Sequence, residues 1–175
     1  MLQFIAAGIG VLISGLLVYA ATKPNTFRVQ RSTTINSPPD KVFSFISDLH
    51  SWASWSPWEK KDPGMKKTHS GPPQGKGAVL EWAGNKDVGT GRMEVLDSSP
   101  ASKVLIQLDF LKPFEAHNTA EFTLTPKAAS TEVTWVMYGP QPYMMKIMGF
   151  FCDPDKMVGK DFEDGLASLK ALAEK

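Results

Sequence analysis

The rhythm of hydrophobic and polar positions changes three times along the chain. From Phe4 to Ala21 the run FIAAGIGVLISGLLVYAA is eighteen residues without a charge. As a helix rising ~1.5 Å per residue it spans about 27 Å, close to the hydrocarbon thickness of a bilayer. A short polar joint, Thr22 to Thr26, ends it, and residues 27–36 (FRVQRSTTIN) then alternate and are rich in β-branched side chains. That alternation predicts a pleated, half-buried strand. Ser37-Pro38-Pro39-Asp40 follows, a capping hydroxyl ahead of proline with an acid three residues on, so a helix starts here with Val42, Phe43 and Ile46 on its apolar face. A second short helix is expected around 49–54, inside the irregular, tryptophan-rich segment HSWASWSPWEKKDPG.

Beyond it, period-two alternation predicts six more strands, at 66–70, 77–83, 88–97, 102–111, 116–125 and 130–138, separated by turn residues. KVLIQLDFL is the clearest: Val104, Ile106, Leu108 and Phe110 share one face, Gln107 and Asp109 the other. The same phasing turns Leu80, Trp82, Met93, Val95, Ala120, Phe122, Leu124, Val133, Trp135 and Met137 inward. The connections are short, which predicts an antiparallel meander. The last change is to a helical period. Asp153-Pro154 supplies a cap and first position, and Val158, Phe162, Leu166, Leu169 and Leu172 recur at three- and four-residue steps. That helix needs an apolar partner, and the inner face of the sheet is the large one available. The fold class is therefore α+β: strand, two helices, six strands and a long closing helix.

The N-terminal run reads as an uncleaved transmembrane anchor. A signal peptide requires basic residues before the apolar run and small residues at the cleavage site. Met1, Leu2 and Gln3 carry no side-chain charge, and Tyr19 occupies a position where cutting after Ala21 needs a small residue. Lys23, Arg28 and Arg31 follow the run with no basic counterpart before it, which favours a cytoplasmic domain unless Arg28 and Arg31 already belong to a folded strand. Ala6, Gly10 and Ser14 recur every four residues, a stripe that lets two such helices approach as a weak homodimer and that is also ordinary membrane-helix composition.

Composition narrows the chemistry. Nineteen Lys plus Arg against eighteen Asp plus Glu give a formal charge of +1, without the basic field that gathers nucleic acid. Cys152 is the lone cysteine, reads as a buried thiol, and has no histidine beside it to make it a nucleophile. His50, His69 and His117 show no metal-ligand spacing, so no metal or other cofactor is expected. No GxSxG elbow, P-loop or dinucleotide fingerprint occurs, and no catalytic set is identified.

Pro-Pro-Asp-Lys-Val-Phe opening the first soluble helix, Trp-Ser-Pro-Trp after it, Gly-Thr-Gly-Arg-Met in a middle strand and GKDFEDGLASLK in the last helix resemble the SRPBCC superfamily, the START-like helix-grip proteins. The branch is that of polyketide cyclase/dehydrase and lipid transport, and the resemblance covers about residues 26–173. It implies a seven-stranded curved antiparallel sheet wrapped around the C-terminal helix with a cavity between them. The chain then divides into an anchor and joint, 1–25, and a ligand-binding domain, 26–175. Trp52, Trp55, Trp58, Trp82, Phe110, Phe122, Trp135, Met145 and Phe151 suit a pocket wall, because rings give rigid apolar area and thioethers repack; they equally suit a core. Asn118 and Arg31 are polar in phase with the inner face, placed to hold a ligand's head group or to reach the rim. His117, Glu81 and Asp109 fall on the wet face. Three functions are compatible: a membrane-anchored binding or carrier protein for a lipid, quinone or aromatic metabolite; a cyclase- or dehydratase-like enzyme using the same cavity; and an interaction module like the superfamily's chaperone activators.

Overall fold

The structure of the protein is a computed structural model that describes residues 2–149 and 153–175, excepting the side chains of Leu2, Gln3, Ile5, Ala6, Ala7, Val11, Ile13 and Pro154. Seven strands form one antiparallel sheet: β1 (Thr26–Ile35), β2 (Lys66–Ser70), β3 (Val79–Ala83), β4 (Thr90–Ser99), β5 (Lys103–Lys112), β6 (Ala116–Lys127) and β7 (Ser130–Pro140), in the order β1-β7-β6-β5-β4-β3-β2. β2 to β7 are the expected meander, and β1 closes onto β7, pairing Thr26 to Ile35 with Pro140 to Thr131. β1, with α5 packed against it, is one edge of the sheet, and β2 is the other, five residues long with Lys66 and Lys67 on it, a short charged edge of the kind that resists further pairing.

Helices α1 (Leu2–Thr22), α2 (Pro39–Ser47), α3 (Pro57–Lys61), α4 (Tyr143–Met148) and α5 (Pro154–Ala173) complete the chain, with a 3₁₀ turn at Ser51–Ser54 where the second short helix was expected. α5 is capped by Asp153, whose carboxylate accepts from the Asp155 amide at 3.0 Å. It lays Phe162, Leu166, Leu169 and Ala173 into the core beneath the sheet. Arg31 of β1 ties it down: Nε donates to Glu163 at 2.7 Å and the two Nη groups donate to both Asp155 carboxylate oxygens. The guanidinium fits because α5 has Gly159 there, where a Cβ would stand 1.9 Å from Arg31 Nη2.

Two differences from the sequence pattern have local causes. β3 begins at Val79 because Gly77, expected inside the strand, has φ +85°, outside the pleated region. In β4 the register with β5 shifts between Val95 and Asp97, a bulge that turns Leu96 outward.

α1 is uncharged over 21 residues. Among the described residues no helix is long and apolar enough to cross a membrane, so the spanning anchor expected from the sequence is not something the structure shows. Its C-terminal turns dock on α4. Ala20 is buried, Tyr143 Oη donates to Leu17 O at 2.6 Å, and the buried Lys146 Nζ donates to Lys23 O at 2.8 Å and Asn25 Oδ1 at 2.7 Å. α4 is a helix that alternation and periodicity did not announce. By the antiparallel register, the starts of β1, β4 and β6 and the ends of β3, β5 and β7 share one end of the sheet, and α1 and α4 join it there.

Candidate functional site

The site grows out of the turn after α2. The last carbonyls of a helix lack intrahelical partners, and here two are taken by indoles: Trp52 Nε1 donates to Ile46 O at 2.9 Å and Trp55 Nε1 to Phe45 O at 3.1 Å. This fixes both rings under the sheet. They meet Trp135 of β7 edge-on, as does Trp58, at centroid distances of 6.3, 5.7 and 5.8 Å. Trp135 itself is sandwiched, with Phe162 of α5 parallel at 4.0 Å and Phe122 of β6 at 4.8 Å. Much of the gap between sheet and helix is therefore solid aromatic packing.

Toward β3, β4 and β5 the packing opens into an apolar cavity. Trp52, Trp58, Trp82, Phe110 and Trp135 line it together with Met65, Met93 and Met137. The enclosed void is about 60 Å³, within an envelope of about 690 Å³ that includes its mouth. The void is smaller than the ~150 Å³ cavity that accepts benzene in an engineered lysozyme. Trp58, Glu59, Met65, Met93, Leu108 and Phe110 on this wall are only half-buried, and the two methionines among them are adaptable side chains. Trp82 lies against Gly91, where a Cβ would come within 2.3 Å of the indole, so glycine in β4 is what admits the ring. Ser56 and Glu59 are the polar side chains on the wall among the described residues. Both Glu59 carboxylate oxygens accept from Lys67 Nζ at 2.7 Å, and among the described residues no second titratable side chain lines the cavity with it. Two larger surface grooves, of about 470 and 250 Å³, are open and polar-rimmed, and neither reaches the aromatic cluster.

The other expected site residues lie elsewhere. Trp55 and Phe122 are sealed in the core and do not line the cavity. Asn118 is buried on the inner face but packs over Gly139, where a Cβ would stand 2.2 Å from its Oδ1. Met145 is exposed on α4, which packs on α1 rather than under the sheet. Arg31 joins β1 to α5 and does not line the cavity; Asp155 and Glu163 raise its pKa further, and Arg31 in turn lowers that of Asp155. Phe151 and Cys152 lie outside the described residues. Ser56, Glu59, Met65, Val88 and Met93 are among the wall residues that have no site role in the sequence pattern, and Gly91, which is not on the wall, lies behind Trp82. Gly91 carried a signal: glycine inside a strand marks a close approach.

The histidines stay away from the cavity. His50 and His69 stack at 3.9 Å on the far side of the tryptophan turn, while His117 pairs with Asp109 at 2.8 Å and Glu115 at 3.3 Å on the wet face. Among the described residues no three metal-ligating side chains gather.

A curved seven-stranded antiparallel sheet closed by a C-terminal helix, with an apolar hollow between them, defines a helix-grip domain. The chain belongs to the polyketide cyclase/dehydrase and lipid transport family, whose sequence model matches residues 26–174. No curated protein matches it in sequence. Among solved structures it is similar to ginseng (Panax ginseng) major latex-like protein 151, at TM-score 0.63 and 15% identity, covering 87% of this chain and 100% of that one. It is also similar to protein CV1439 of Chromobacterium violaceum, at TM-score 0.61 and 18% identity, covering 87% and 99%. A third likeness is to the di-domain ARO/CYC StfQ of the steffimycin biosynthetic pathway, at TM-score 0.60 and 13% identity, covering 85% of this chain and 51% of that one. At these identities the likeness is one of fold.

Proposed function

We propose that this protein binds or carries a hydrophobic small molecule, a lipid, quinone or aromatic metabolite, in the cavity between β3–β6 and α5. The observation that carries this reading is the wall itself: rings and thioethers, several of them only half-buried, surround an apolar void. Wide, mostly apolar concavities with few polar groups are the general form of small-molecule sites. α1 supplies the tether. Phe4, Ile9, Leu12 and Val18 point outward from an uncharged helix, an arrangement that favours an apolar medium around it. Lys23 follows α1 directly, and positive-inside logic puts the domain on the cytoplasmic side; Arg28 and Arg31 belong to β1 and add little to that vote.

An enzyme of cyclase or dehydratase type is the second reading, favoured by Ser56 and Glu59 on the wall. Binding is better supported, because Glu59 is held by Lys67 and lacks a titratable partner in the cavity with which to share acid and base roles. Native mass spectrometry of the full chain, purified from its own cells in lipid nanodiscs, tests the first reading. A small apolar molecule released reproducibly on unfolding is the expected result; its consistent absence contradicts a carrier.

A further inference from the structure

Leu96 aside, every large apolar side chain exposed among the described residues lies on α1, at the end of β5 or in the turn after it, on α4 or in the first turn of α5. These elements share one end of the sheet. Leu111 and Phe114 are 55% and 76% exposed in and beside the β5–β6 turn. Met144, Met145 and Met148, on α4, are 66%, 45% and 51% exposed. β7, which leads into α4, lies two strands from β5, about 10 Å at the usual strand spacing. The cavity extends to the same end, where Val88 in the β3–β4 turn and Phe110 close to the end of β5 are part of its lining.

The side chains between this rim and α1 indicate what covers it. Tyr143 Oη bonds Leu17 O in the last turns of α1 and Lys146 Nζ bonds Lys23 O just past its end, while Lys23 Nζ lies 4.6 Å over the Tyr19 ring. Tyrosine and lysine at the end of an apolar helix form the belt that sits at headgroup level, with ring and stem in the apolar phase and the polar tip in water. α4 is pinned at that same level. A bilayer that takes α1 therefore also meets the methionines of α4.

We propose that this end of the domain is a bilayer-docking face, with Leu111, Phe114 and the α4 methionines seated at the headgroup–acyl boundary and the cavity exchanging its ligand with lipid rather than with water. The proposal rests on the reading of α1 as a membrane tether. Nitroxide labels on the full chain in vesicles of phosphatidylcholine and phosphatidylglycerol test it, in a Cys152→Ser background with single changes Leu12→Cys, Leu96→Cys, Phe114→Cys or Met144→Cys. All four positions are exposed, so the fold tolerates the labels. Relaxation by oxygen is expected to exceed relaxation by a water-soluble nickel chelate several-fold at positions 12, 114 and 144, and to fall below it at 96. If 114 and 144 behave like 96 while 12 stays in lipid, the docking face is wrong and the tether stands. If position 12 is also aqueous, both fail. Spin–spin broadening at 114 and 144 would replace the bilayer with a second copy of the chain and overturn the proposal.

Discussion

The ring of Trp135 lies parallel to that of Phe162, 4.0 Å between centroids and 7° between planes, joining the middle of β7 to the middle of α5. Both side chains are almost wholly buried. The pair closes the core on the side where the aromatic packing is solid and borders the cavity on the side where it is not. Phe162→Ala removes one face of the sandwich, and large-to-small core changes of this kind cost about 3–5 kcal/mol. Urea unfolding followed by tryptophan fluorescence should show a loss in that range, with the space beside Trp135 enlarged.

Gly91→Ala tests the cavity's outer wall. The new methyl would stand 2.3 Å from Trp82 Cζ2 and 2.5 Å from Asp109 O, and the backbone oxygen cannot yield as the ring can. Overpacking of this sort costs about 1–3 kcal/mol. The expected result is a stability loss of that size, read from the denaturation midpoint, together with weakened uptake of an apolar fluorophore because Trp82 is displaced.

The histidines give a pH dependence of two opposing signs. Burial, with the charge of neighbouring His50 adding to it, holds His69 below the ordinary histidine pKa. Between its folded value and the unfolded value of about 6.5 the unfolded chain holds a proton that the native one lacks. Stability from this group is thus present above pH ~6.5 and falls as the pH drops through the folded pKa. His117 is shifted the other way by its hydrogen bond to Asp109, with Glu115 assisting. Its contribution is complete below the unfolded value and is lost as pH rises through its folded pKa. Ring-proton NMR titration should find His69 titrating at lower pH than His117, and His117→Gln should remove the loss on the alkaline side.

Lys146→Ala leaves Lys23 O and Asn25 Oδ1 without the buried ammonium that now serves both. The main core does not use this contact. Amide hydrogen exchange should therefore accelerate around residues 17–26 and in α4, while β5, β6 and β7 keep their protection.

Much of the fold was legible because alternation reports a sheet with one wet face. KVLIQLDFLK became β5, KKTHS became β2 with the expected bounds, and the three- and four-residue steps after Asp153 became α5. α4 was not legible, since six residues bracketed by Pro142 and Gly149 are too few for a period to emerge. The division between core and cavity was hidden for a different reason. Trp55 and Trp58 are equivalent in the sequence, three residues apart, yet Trp55 donates to the end of α2 and is sealed while Trp58 remains half-buried on the cavity wall. Such a distinction belongs to the tertiary packing, which side-chain type does not encode. Arg31 shows the limit from the polar side: its phase was read correctly, but its partners, Asp155 and Glu163, are more than 120 positions away.

The cavity's own methionines provide the most direct measurement. Met65, Met93 and Met137 line it, whereas Met144, Met145, Met148 and Met157 are exposed outside it. Methyl-labelled methionine in the full chain, in lipid nanodiscs, is titrated with an uncharged two-ring aromatic such as naphthol and followed by methyl NMR. Saturable shifts at Met65, Met93 and Met137 are predicted. Shifts confined to the exposed methionines, or none at any concentration, would mean that the hollow does not open to ligands and would contradict a binding function.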